Sequence, residues 1–195
     1  MQKIKNIWRE NERVIRTILS RRSTRIFKED PLKDEEIGQI LEAAKYAPSG
    51  TNQQPWNFTV VSNKELIEEI GLESKNVAKQ SENKHLRDLA NNDKFRPFYD
   101  APIVIFIAGD TRALTPKEDC ILASQNIMLA AESLGVGSVY LGFPNFAFAG
   151  NRREEFLKKL GIPENYEIYL SISLGYKKVE VKAAARRENV VNYIK

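Results

Sequence analysis

The sequence predicts an α+β domain, a sheet flanked by helices, and three observations carry that prediction. Helical and strand patterns intermingle along the chain without strict βα alternation. Ile103 to Ala108 is apolar at every position, the pattern of a strand buried on both faces. Lys117 to Leu134 carries Ile121, Leu122, Ala123, Ile127, Met128, Leu129, Ala130, Ala131 and Leu134. Apolar residues nearly surround that helix, so it needs cover on all sides, in a core or between subunits. A chain of 195 residues defaults to one domain, 1–195.

Taken in order, Val14, Ile15, Ile18 and Leu19 recur at helical spacing and predict a first helix ending near Ser20. Pro31 and Asp34 announce a second, with stripe Ile37, Ile40, Leu41, Ala44 and a stop before Pro48. Trp56 starts a strand through Phe58, Val60 and Val61. Asn63 caps a short helix carrying Leu66, Ile67 and Ile70. From Leu72 to Tyr99 the signal fades, although Leu86 and Leu89 allow one amphipathic helix. Such an insert reads as a lid, as a mobile segment or as disorder without function. Gly135 ends the apolar helix, and Ser138 to Gly142 is a strand followed by a Phe-rich loop to Gly150. Arg152 to Leu160 is a helix closed by Gly161 and Pro163, and Tyr166 to Gly175 is the last strand. The tail, 176–195, is basic and ends in Val190, Val191, Tyr193 and Ile194.

Composition narrows the function classes. Lys and Arg number 30 against 26 Asp and Glu, mostly interspersed, so the net charge of +4 is a solubilising surface rather than a nucleic-acid patch. The aromatic residues are not interleaved with basic ones as a base-stacking platform requires. One cysteine excludes an intramolecular disulfide framework and a multi-cysteine metal site. One histidine, His85, would have to carry any triad or histidine metal cluster alone, so a surface histidine is the simpler reading. Met1 to Arg16 lacks the apolar core of a secretory signal and no stretch approaches a membrane span, so a cytoplasmic location is expected. Cys120, at the start of the apolar helix, reads as a packed thiol.

Two motifs point to a ligand. Arg21-Arg22-Ser23-Thr24-Arg25 places three guanidiniums and two hydroxyls within five residues. Arginine forks pair bidentately with phosphate oxygens, and hydroxyls complete the shell. Taken alone, the same run is a solvated basic helix end. One helix later comes A-P-S-G-T-N-Q-Q-P-W, Ala47 to Trp56. Pro48 and Pro55 stiffen it, and Ser49, Thr51, Asn52, Gln53 and Gln54 offer uncharged donors and acceptors suited to a flat heteroaromatic edge. Taken alone, it is a turn that stops a helix. In sequence, the two match a ligand with an anionic tail and a polar ring system. With so few acid–base residues, a cofactor carrying the chemistry fits better than side-chain catalysis.

R-R-S-T-R-x-F, one helix, then A-P-S-G-T-N-Q-Q-P-W entering a strand resembles the nitroreductase-like FMN flavoproteins. The resemblance extends over most of the chain and is weakest from Leu72 to Tyr99. It implies a mixed, mainly antiparallel sheet in a homodimer, with each FMN at the subunit interface and the helix around Ile127 central to that interface. It also implies that Arg21 and Ser23 serve the phosphate, Arg25 approaches the pyrimidine edge of the flavin, and Arg22 falls within the same motif. Pro48, Ser49, Gly50, Thr51 and Asn52 would reach the flavin held mainly by the other subunit. Leu141 and Gly142 match a turn whose backbone N–H groups lie near N5 and O4. Arg186 and Arg187 look like a closing phosphate pair, although the segment before the final valines is shorter than the family's commoner spacing and Lys182 is a rival.

The implied activity is electron transfer from NAD(P)H through FMN to a nitroaromatic, quinone or similar acceptor, with ping-pong kinetics. No side chain is assigned as catalytic and no metal is expected. Reductive dehalogenation or enone reduction, and a non-enzymatic flavin-binding module, remain open on the same motifs.

Overall fold

The computed structural model describes residues 12–195; the N-terminal part of the Met1 to Arg16 reading lies outside the described residues. In chain order the elements are α1 (Arg13–Ser20), α2 (Asp34–Lys45), a 3₁₀ turn (Gly50–Asn52), β1 (Trp56–Val61), α3 (Lys64–Ala78) and α4 (Lys84–Asn91). There follow β2 (Ile103–Asp110), α5 (Pro116–Ser133), β3 (Val136–Leu141), a 3₁₀ segment (Phe143–Ala149), α6 (Arg153–Lys159) and β4 (Tyr166–Tyr176).

The strands form one sheet in the order β1-β2-β4-β3, antiparallel throughout. The expected parallel component is confined to an isolated bridge between Ser23 and Ser138. β2 lies inside the sheet, and its alternate residues feed two cores. Val104, Phe106 and Ala108 join Ile67, Ile70, Phe148 and Phe156 under α3, α6 and the second 3₁₀ segment. Ile103, Ile105 and Ile107 join Ile40, Ile127, Leu170 and Ile172 under α2 and α5. That two-sided burial is why the strand reads as an unbroken apolar run.

The faint segment 72–99 is largely helical. α3 continues to Ala78, and Asn83 caps α4 by accepting from the backbone N–H groups of His85 and Leu86. The buried face of α3 includes Gly71, Ser74 and Ala78, small residues that leave no apolar stripe in the sequence. Lys75 Nζ donates to the carbonyls of Asn92 and Phe95 and ties the following loop back to α3.

α5 is less enclosed than its composition predicts. Cys120, Ala123, Ile127 and Ala131 are buried, but Ile121 and Leu122 stay 39% and 44% exposed. α1 buries no residue, and Val14, Ile15, Ile18 and Leu19 all face outward. The cover that these residues call for does not come from the described chain. Among the described residues, no helix is long and apolar enough to cross a membrane.

Candidate functional site

α1 ends at Ser20, and Arg21 turns extended at φ −52°, ψ 131°. The chain then runs along the outer edge of β3: Ser23 bridges Ser138, and the Thr24 N–H donates to the Ser138 carbonyl at 2.9 Å. Side chains of an extended segment alternate between two sides. Thr24 is buried against Gly137, where an added Cβ would sit 2.7 Å from Thr24 Oγ1. By that alternation Arg22 falls on the inner side, as its buried Nε bears out, and Arg21 and Ser23 are assigned to the opposite one. Arg22 donates through Nη1 to the Arg21 carbonyl, and its Nε is buried without a partner. Among the described residues, none of Arg21, Arg22 and Arg25 pairs with a carboxylate. The Arg25 guanidinium lies over the Tyr99 ring, 5.8 Å from its centroid. Leu141 and Gly142 close the same strand; Leu141 is buried and Gly142 is open on the side a Cβ would occupy. At ~3.3 Å per residue, Gly142 lies ~13 Å along β3 from Ser138.

The loop after α2 is held differently. Thr51, Asn52 and Gln54 have φ of 49°, 59° and 48°, a left-handed conformation that costs non-glycine residues free energy. Its polar groups are largely engaged. Ser49 Oγ accepts from the Gln54 N–H, Asn52 Oδ1 accepts from Gln54 Nε2, and Gln53 Oε1 accepts from the Leu114 N–H. Asp119, 3% exposed in the first turn of α5, accepts the Gly50 N–H at 3.2 and 3.3 Å and the Thr115 hydroxyl at 3.1 Å. Gly50 has to be glycine here, since a Cβ would sit 2.7 Å from Thr115 Oγ1. In the sequence Asp119 is one acid in a first helical turn, which the helix dipole alone accounts for, so nothing there marks it as a loop anchor.

The two motifs do not meet within one chain. The Pro48–Asn52 loop is anchored at Asp119, whereas Ser20, the residue before Arg21, donates to Glu132 Oε1 at 3.2 Å. Those two acids are thirteen residues apart on α5, ~20 Å at the helical rise. Among the described residues, no hydrogen bond or ion pair joins Arg186, Arg187 or Lys182 to the Arg21–Arg25 segment; Arg186 reaches only the Ala184 carbonyl. The root of the tail is docked, however, with Lys178 N–H donating to the Ile26 carbonyl and Lys177 bridging Phe27. Cys120 is fully buried and hydrogen-bonds the Ala108 carbonyl; burial, helped by the Asp119 charge, pushes its thiol up to about 12. It is a packed thiol and not a nucleophile.

The model of the Nitroreductase family matches residues 18–176. The chain belongs to the nitroreductase family. It is 35% identical to a nitroreductase from Desulfitobacterium hafniense whose crystal structure contains bound FMN; the match covers 93% of this chain and 98% of that one, with a TM-score of 0.86. A relative in Archaeoglobus fulgidus, whose name places it with the NADH dehydrogenase/NAD(P)H nitroreductases, is 34% identical over 87% of this chain and 88% of its own length. The chain is also similar to the iodotyrosine deiodinase of Thermotoga neapolitana, 27% identical over 89% of this chain and 93% of that protein's length.

Proposed function

We propose that the chain is an FMN-dependent oxidoreductase that moves electrons from NAD(P)H to an electron-poor acceptor, and that it works as a homodimer. The observation that carries this reading is the guanidinium set on the edge of β3, held without carboxylate partners among the described residues, with an open Gly142 further along the same strand. Uncompensated arginines repel one another, and a dianionic phosphate offsets that cost. When bound, FMN supplies the chemistry: it takes a hydride from the nicotinamide and passes electrons to the acceptor.

This chain's residues bind and orient. Arg21 and Ser23, sharing one side of the extended segment, hold the phosphate. Arg25 places a cation at the pyrimidine edge, where negative charge develops on reduction. The backbone at Leu141 and Gly142 offers N–H groups to the reactive edge of the ring. Arg22, on the Thr24 side, supports the segment from behind, and Arg186 and Arg187 close over the phosphate from the tail. Pro48, Ser49, Gly50, Thr51 and Asn52 complete the site of the other subunit. Support for that exchange is the ~20 Å between the two motifs along α5, with the outward apolar faces of α1 and α5 as the surface a second copy covers. Donor and acceptor use one open face in turn, which gives ping-pong kinetics. Nitroaromatics and quinones are the acceptors proposed first. The similarity to an iodotyrosine deiodinase supports a second reading, reductive dehalogenation of an aromatic substrate.

Purified protein is expected to be yellow, to release FMN on acid treatment, to oxidise NADH or NADPH with menadione, and to scatter light as a dimer. Dilution to the monomer should release the flavin. Release of FAD, failure to bind any flavin after reconstitution, or a folded monomer retaining FMN overturns the corresponding part of the reading.

A further inference from the structure

Glu132 sits where a carboxylate is out of place. It lies in the last turn of α5, where the helix dipole disfavours negative charge, and no basic residue shares that turn. It is also largely withdrawn from water, its side chain 10% exposed. Two groups hold it there: Lys177 Nζ, 17% exposed, donates to Oε2 at 2.8 Å, and the Ser20 hydroxyl, which shares its one proton between Oε1 and the Thr17 carbonyl at 3.2 Å each, reaches Oε1 from the end of α1. Each partner belongs to a segment that carries arginines of the proposed phosphate site. Ser20 directly precedes Arg21, and Lys177 begins the tail that leads to Arg186 and Arg187. The segments are also paired through backbone, Lys28 N–H to the Tyr176 carbonyl and Lys178 N–H to the Ile26 carbonyl. α1 buries no residue of its own, so its packing against α5 is slight and polar ties weigh more in placing its last residue, Ser20.

We infer that Glu132 is a positioning residue for phosphate recognition: it ties the end of α1 to the root of the tail and so fixes Arg21, which lies between this tie and the Ser23–Ser138 bridge. The inference rests on the FMN reading above. A bidentate arginine pair is demanding in geometry, so a small displacement of Arg21 weakens it. Glu132 itself touches neither phosphate nor ring.

Comparing FMN with riboflavin, which has the same ring and side chain without the phosphate, separates positioning from general structural support. In the full-length protein, Glu132→Gln is expected to raise the Kd for FMN about tenfold, a change of roughly 1.4 kcal/mol, and to leave riboflavin binding within about twofold. Ser20→Ala, which keeps the Glu132–Lys177 pair, is expected to show the same phosphate-selective loss at a smaller size. Equal loss of FMN and riboflavin in both variants makes Glu132 merely structural and overturns the inference, as does FMN binding unchanged in both. Should Glu132→Gln not fold, Ser20→Ala decides alone. Wild-type protein that binds no FMN defeats the functional reading first, whereas wild type that prefers FMN alongside unaffected variants defeats only this inference.

Discussion

The chain carries two arginine-centred surfaces that differ in where their charge goes. At α6, Arg152, which precedes the helix, pairs with Glu69 and Glu155, Lys159 pairs with the same two acids, and both cations lie over the Phe156 ring. Along the edge of β3, Arg21, Arg22 and Arg25 have no carboxylate partner among the described residues, and Arg22 Nε is buried without any. Both surfaces are rich in guanidinium, but only the first is complete within the chain. An ion network closed on itself contributes to holding α3 and α6 together. A cluster left open repels itself and reaches its lowest free energy only with an anion bound. Counting arginines in the sequence does not distinguish the two; counting their partners does.

The largest expected effect tests the open cluster. Arg21→Ala should weaken FMN binding by about one to two decades, since a charge-assisted bond to phosphate is worth roughly 1.5–3 kcal/mol. The thermal midpoint of the flavin-free protein should hardly move. Arg152→Ala should do the reverse, lowering the midpoint while leaving FMN affinity within about twofold. Titration of both variants with FMN, beside a melting curve for each, checks the pair. Equal FMN affinities would mean that the two surfaces do not differ in kind.

Asp119 sharpens the comparison from the other end of α5, because there a buried charge is engaged by the chain itself. Asp119→Ala strips the acceptor from the Gly50 N–H and the Thr115 hydroxyl. The expected cost is about 1.5–3 kcal/mol of stability. With its left-handed residues Thr51, Asn52 and Gln54 released, the Pro48–Asn52 loop should also lose hydrogen-exchange protection. A stability loss with the loop protected as before would show that Asp119 supports α5 and not the loop.

The smallest effect is a pH dependence on the closed network. The Arg152 guanidinium, then Lys159, hold the Glu155 carboxyl down from 4.5 to about 2. A carboxylate depressed in the folded state adds stability at pH above 4.5, and that contribution fades as pH falls from 4.5 towards about 2. The difference in thermal midpoint between wild type and Glu155→Gln should therefore be constant at neutral pH and shrink towards zero across that window. A difference that persists unchanged at the acid end would mean that Glu155 acts through packing and not through its charge.

Periodicity and residue type were enough to determine the frame of this protein. The apolar run Ile103 to Ala108 announced the interior strand, Gly135 and Gly161 marked helix ends and do adopt left-handed φ, and the order of the two motifs announced the family. These signals are local, set by side-chain alternation, backbone sterics and neighbouring residues. The later part of α3 was faint because its buried face uses small side chains, Gly71, Ser74 and Ala78, with Gly71 close against Pro97 and Phe98, and this leaves no hydrophobic stripe to read. Nor did the sequence reveal that Arg22 buries its Nε, since which side of the segment is inner follows from the pairing of Ser23 with Ser138, 115 positions distant. Asp119 and Glu132 looked like ordinary helix acids until the fold brought Gly50 to one and Ser20 and Lys177 to the other. Hydrogen-bond partners far apart in the chain are chosen by the way layers pack, so only the tertiary structure decided which charges were answered within the chain and which were left for a ligand.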